Sequence, residues 1–163
     1  MLSGALSIGA CLLTVLLIDR IGRKPLLWVG SVGMSVALVL MVVAFASGSL
    51  AGGRLQLSDG MGRLALVAAN VYVVFFNMSW GPVMWVMLGE MFPNQIRGSG
   101  LAVSGFAQWM ANFGITMTFP VMLTTIGLTG AYGFYAASAA VSVLFVWALV
   151  RETKGIELED MQG

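Results

Sequence analysis

Charged side chains interrupt this chain at four places only: Asp19, Arg20, Arg23 and Lys24; Arg54, Asp59 and Arg63; Glu90 and Arg97; and a tail from Arg151 to Asp160. Between them lie five uncharged runs, over about residues 1–18, 25–48, 64–89, 99–124 and 129–150. Each is close to or above the roughly 18–20 residues that carry a helix across the hydrocarbon core of a bilayer. The pattern predicts an all-α membrane protein with five transmembrane helices over residues 1–150 and a tail over 151–163. The longest connection, Ser47 to Arg63, is rich in Gly and Ser and reads as an exposed loop.

Polar positions inside the runs are few and periodic. In the third, Asn70, Asn77, Gly81 and Trp85 follow steps of seven, four and four, which places them along one face of a helix. Pro82 lacks a backbone donor and its ring crowds the carbonyl of Met78, so a kink or local unwinding is predicted at Gly81. In the fourth, Ser104, Gln108, Asn112 and Thr116 recur every four residues, and Pro120 follows as a second candidate hinge. Small residues crowd the first two runs (Ser3, Gly4, Ser7, Gly9; Gly30, Ser31, Gly33, Ser35) and read as faces where helix backbones approach closely.

Composition supports the membrane reading: 59% of the 163 residues are hydrophobic and 9% charged, against about 25% charged in an ordinary soluble domain. A net charge of +1 gives no reason to expect nucleic acid as a partner. Arg20, Arg23, Lys24, Arg97, Arg151 and Lys154 fall on one side of the predicted bundle and only Arg54 and Arg63 on the other. The excess of positive charge makes the first side, and with it the C-terminus, cytoplasmic. A signal peptide is the competing reading of residues 1–18, but no charged region precedes the apolar run and "IDRIGRKP" is a poor cleavage site, so it is read as a first span. Its start at Met1 with no flanking anchor suggests a chain that begins within a longer design.

Cys11 is the single cysteine and histidine is absent, so no disulfide, Cys/His metal site or cofactor is expected. No carboxylate lies within a run except Glu90 at an end, which argues against an enzyme and against an acidic proton relay built from this chain alone. What remains is a concentration of carboxamides and indoles. Amides in a bilayer must face other helices or a wet cavity, and interhelical bonding explains each as well as a ligand does. Together, Asn, Gln and Trp form the set that a neutral, hydroxyl-rich ligand needs: donor–acceptor pairs and a flat apolar surface. Trp80 and Trp109 also suit a packing or interfacial role.

The strings "DRIGRKPLL", "GPVMWVMLGEMFPNQIRGSGLA", "AQWMANF" and "RETKG" resemble the sugar porter branch of the major facilitator superfamily, in order along the chain, most closely bacterial proton-linked pentose or hexose symporters. The resemblance implies five helices equivalent to helices 8–12 of a twelve-helix transporter, a monosaccharide substrate at the midplane, and a location in the bacterial inner membrane. It also implies dependence on an N-terminal half and on the first helix of the C-terminal half. By resemblance, Phe76, Gly81, Trp85, Gln108, Trp109 and Asn112 are substrate-binding, and Asp19, Arg23, Glu90, Arg97 and Glu152 form a cytoplasmic salt-bridge network. The hinge is assigned to Gly81, Pro82 and Pro120. Arg151 stands where the family commonly has proline, which puts the geometry of the tail apart from the pattern. A facilitator of a polyol or cyclitol, and a membrane fragment that transports nothing, are the alternatives.

Overall fold

The computed structural model describes residues 2–51 and 54–150. Its elements are α1 (Leu2–Ile21), α2 (Arg23–Ala46), β1 (Ser49–Ala51), β2 (Arg54–Gln56), α3 (Asp59–Met78), α4 (Pro82–Met91), α5 (Arg97–Thr125) and α6 (Gly127–Leu149).

One residue, Gly22, turns α1 into α2. Its φ of 102° is a region that glycine enters without steric cost, and its amide still bonds Ile18 O at 3.1 Å. The connection after α2 contains an antiparallel ribbon, Ser49 opposite Gln56 and Ala51 opposite Arg54, where an irregular loop was expected. α3 begins at Asp59, inside the segment that the charge pattern assigned to the loop. The cause is a cap: Ser58 Oγ accepts the Met61 amide at 3.4 Å, and Asp59 in the first turn complements the helix dipole. Arg63 therefore lies on the helix, beyond its apolar part.

The third run forms two helices, with the chain leaving α3 after Met78 and entering α4 at Pro82. Proline suits the first position of α4, whose own bonding does not use that amide, and the loss falls on the preceding turn, at the Met78 carbonyl. α5, in contrast, runs unbroken for 29 residues through Pro120. A second positive-φ glycine, Gly127 at 72°, turns α5 into α6.

α2 is the centre of the bundle, packed against α3 on one side and α6 on the other, with α1 on α3 and α5 on α6. Toward the end where α4 closes, Leu26, Leu27, Val83, Met87, Val146 and Val150 form one apolar cluster; Leu38, Met41, Ala68 and Ala136 form a second toward the other end. No residue of α5 is buried, and Val103, Phe106 and Trp109 each leave about seven-tenths of their surface open. Three stretches, α2, α3 with α4, and α6, are long and apolar enough to cross a membrane, and α1 supplies a shorter apolar stretch, Leu6–Ile18. Exposed apolar side chains on helices whose backbone bonds are internal are what a lipid environment requires. The chain is thus an all-α, multi-pass membrane protein, with only the small β1–β2 ribbon added.

Candidate functional site

The site is organised by the break between α3 and α4. Ser79 leaves helical geometry, at φ −124° and ψ −85°, and the Gly81 amide bonds Phe76 O at 2.9 Å, five residues back instead of four. Regular bonding resumes from Val83 N to Ser79 O, also 2.9 Å. Two carbonyls lose their helical donors in consequence: Asn77 O, because Gly81 N has turned elsewhere, and Met78 O, because Pro82 has no N–H.

Neighbouring helices meet these groups. Thr14 Oγ1 donates to Met78 O at 2.8 Å, and the Cys11 thiol lies 3.7 Å from Asn77 O. The Asn77 amide donates to Ser7 Oγ at 3.3 Å and to Val73 O at 2.8 Å. From the α2 side, Ser31 Oγ accepts the Trp80 indole N–H at 2.8 Å, while at the end of α3 itself Ser79 Oγ donates to Phe75 O at 2.6 Å. Thr14, Ser31 and Ser79 are all buried. Gly30 faces Ser79 and Gly33 faces the Phe75 ring so closely that neither position has room for a Cβ.

Just past the break, Trp85 lies on α4 with its indole edge against α5 at Gly105, 3.4 Å from where a Cβ would stand. Gln108 and Trp109 occupy the next turn of α5. Gln108 Oε1 is buried with no hydrogen-bond partner among the described residues, whereas Trp109 is 72% exposed. Phe76 and Asn112 meet elsewhere, in the wall of a cavity of about 830 Å³ between α2, α3, α5 and α6, together with Trp80, Tyr72 and Thr116. That volume lies within the range of small-molecule sites. Phe76 stacks on Tyr72 there, with ring centroids 6.3 Å apart.

Of the six predicted substrate residues, Trp85 packs on α5 at Gly105, Gln108 and Trp109 follow one turn later on that helix, Phe76 and Asn112 line the cavity, and Gly81 lies in the break itself. The face predicted from Asn70 through Trp85 is not continuous, since the break turns α4 away from α3. Asn70 bonds back to Leu66 O at 2.8 Å, and Asn77 is engaged with α1. Pro120 marks no interruption of α5.

Among the charged residues, Arg23 and Glu90 come together. Arg23 Nη2 lies 2.7 Å from Glu90 Oε1, and Nε lies 3.2 Å from both carboxylate oxygens. The pair is mostly shielded, the side chains being 14% and 24% exposed. Arg97 Nε donates to Phe92 O at 3.3 Å, and its Nη2 is buried with no hydrogen-bond partner among the described residues. The Asp19 side chain and Glu152 lie outside the described residues.

Ser7, Cys11, Thr14 and Ser31 are missed as partners of the break by the sequence reading. The steps of four and three from Ser7 to Thr14 put three polar side chains on one face of α1, but small residues at such spacing equally mark close helix packing.

Comparison with known proteins places this architecture. The family described as "Sugar (and other) transporter" matches residues 1–163. The chain is 48% identical to the "Glucose transport protein" of Synechocystis sp., over 98% of its own length and 34% of that protein's. It is 36% identical to the "D-xylose-proton symporter" of Escherichia coli, over 98% of its own length and 32% of that protein's. A solved inward-open structure of the xylose transporter XylE from E. coli superposes with a TM-score of 0.82 at 36% identity, covering 99% of this chain and 34% of the other. The chain therefore spans about a third of the length of these relatives. The family match along the whole chain, together with the fold it shares with the xylose transporter, shows that the chain belongs to the sugar transporter family, in the sugar porter branch of the major facilitator superfamily.

Proposed function

We propose that this chain works as part of a secondary transporter that moves a monosaccharide across the bacterial inner membrane by alternating access, as sugar/proton symport. The observation that carries the reading is the buried Oε1 of Gln108, without a hydrogen-bond partner among the described residues, on a helix with no buried residue and one turn past Gly105, where the Trp85 indole packs. A sugar hydroxyl would donate to that oxygen while the ring's C–H face lies on an indole, and no formal charge is present to hold the ligand too tightly. Helices beyond these five would supply the facing wall.

In this scheme the end of the bundle that carries Arg23, Glu90 and Arg97 faces the cytoplasm, following the excess of Lys and Arg there. Arg23 and Glu90 pair when that end is closed and separate when it opens, so the pair acts through its difference between two states. Glu90 sits at a helix end and no other carboxylate lies in a predicted span, so the proton carrier would belong to another part of the transporter.

The test is Gln108→Ala in the complete transporter. Losing a hydrogen bond to a buried partner is worth on the order of 1–3 kcal/mol, so affinity for labelled D-xylose or D-glucose should fall about 5- to 150-fold. Unchanged binding at normal expression would remove Gln108 from the site.

A further inference from the structure

We propose that Thr14, on α1, is a positioning residue for the sugar site: it holds the end of α3 in the broken conformation from which α4 presents Trp85. The inference rests on the transport reading above for its consequence, and on the geometry of the break for its mechanism.

Breaking a helix inside a bilayer leaves acceptors that no water can satisfy, so the break lasts only where other helices satisfy them. Of the two carbonyls stripped here, Asn77 O has only a thiol at 3.7 Å, a weak donor. Met78 O receives a hydroxyl at 2.8 Å from a side chain that is 99% buried, being 1% exposed. Thr14 Oγ1 also lies 2.9 Å from Ala10 O in its own helix, so its single hydrogen is shared between an acceptor that marks its rotamer and the one that Pro82 left open.

Trp85 follows Met78 by seven residues, with the turn at Ser79–Gly81 between them. Any rotation of the chain about that turn is carried along α4 to the indole, which packs on α5 at Gly105, one turn before Gln108. Displacement of a positioning group by about 1 Å is enough to cost a site its function. Without the Thr14 hydroxyl, Met78 O would stay open, and the break would shift toward whatever geometry covers it.

The experiment compares Thr14→Val and Thr14→Ser in the complete transporter. Valine keeps the shape and removes the hydroxyl, whereas serine keeps the hydroxyl. For Thr14→Val, hydrogen exchange at the Ser79, Gly81 and Val83 amides should rise roughly tenfold, as should KM for labelled D-xylose or D-glucose, with Vmax changed less than twofold. Thr14→Ser should restore both. Unaltered exchange in Thr14→Val, or a serine variant as impaired as the valine one, overturns the assignment. Raised exchange with a normal KM overturns the positioning role. An exchange response in a transporter whose parent binds neither sugar would instead remove the sugar reading, and Thr14 would stand as the residue that holds the break.

Discussion

Gly30→Ala offers a severe test of how α2 supports the break. A Cβ at this position would overlap the Ser79 side chain and stand 3.3 Å from Phe75 O. Neither neighbour can yield cheaply: Ser79 is fully buried and its Oγ is held by Phe75 O at 2.6 Å. Retreat is equally blocked on the α2 side, because Ser31, the next residue, is fully buried and accepts the Trp80 indole N–H. Overpacking of this kind costs about 1–3 kcal/mol, which for a chain of this size lowers the melting temperature by about 2–12 °C. A general weakening of the bundle would also lower it, so the discriminating measurement is a double-mutant cycle with Ser79→Gly, which removes the atoms that the new methyl meets. If the overlap is the cause, the double variant regains at least about 1 kcal/mol over the sum of the single changes. Strict additivity in thermal unfolding of the purified protein would refute the contact as the origin of the loss.

Glu90→Gln removes one carboxylate from the mostly shielded Arg23 guanidinium, a pairing that at this exposure is worth about 1–3 kcal/mol, between the values for surface and buried pairs. Labelling of introduced cysteines from both faces of the membrane should then show the population moving toward opening at the Arg23 end, and equal labelling of variant and parent would reduce the pair to a structural contact. The 163-residue chain reconstituted by itself in liposomes should give no saturable, stereospecific sugar uptake. Uptake by that chain alone would require copies of one face to rebuild the cavity.

The apolar runs and the break at Gly81-Pro82 are legible in the sequence because both follow from local chemistry: the length that spans a bilayer, and a residue without an amide. The place where the helix yields is less legible. The chain departs at Ser79, two residues before Gly81, because Ser31, Thr14 and Ser7 on other helices meet the groups released there, and no local pattern states which helices will be neighbours. The start of α3 is hidden for a different reason: Arg63 bounds the apolar run, yet a helix capped by Ser58 begins at Asp59 and continues through it. In the candidate site, Trp85 reaches α5 at Gly105, one turn before Gln108 and Trp109, whereas the regular spacing from Asn70 to Trp85 describes a straight helix that this chain does not form.

The polar stripe along α5 also bears on how the protein is made. Gln108, Asn112, Thr116 and Thr118 leave this 29-residue helix outside the set apolar enough to cross a membrane on composition alone, while α6 belongs to that set. The connection between them is a tight turn at Ile126 and Gly127. A nascent α5 would partition poorly from the translocation channel into lipid by itself, since each bare amide carries a desolvation cost. Coupled through so short a turn to α6, it can leave the channel as half of a helical hairpin, its insertion driven by the partner synthesised after it. The carboxamides that we propose to serve a sugar would thus make the entry of α5 into the bilayer depend on the helix that follows.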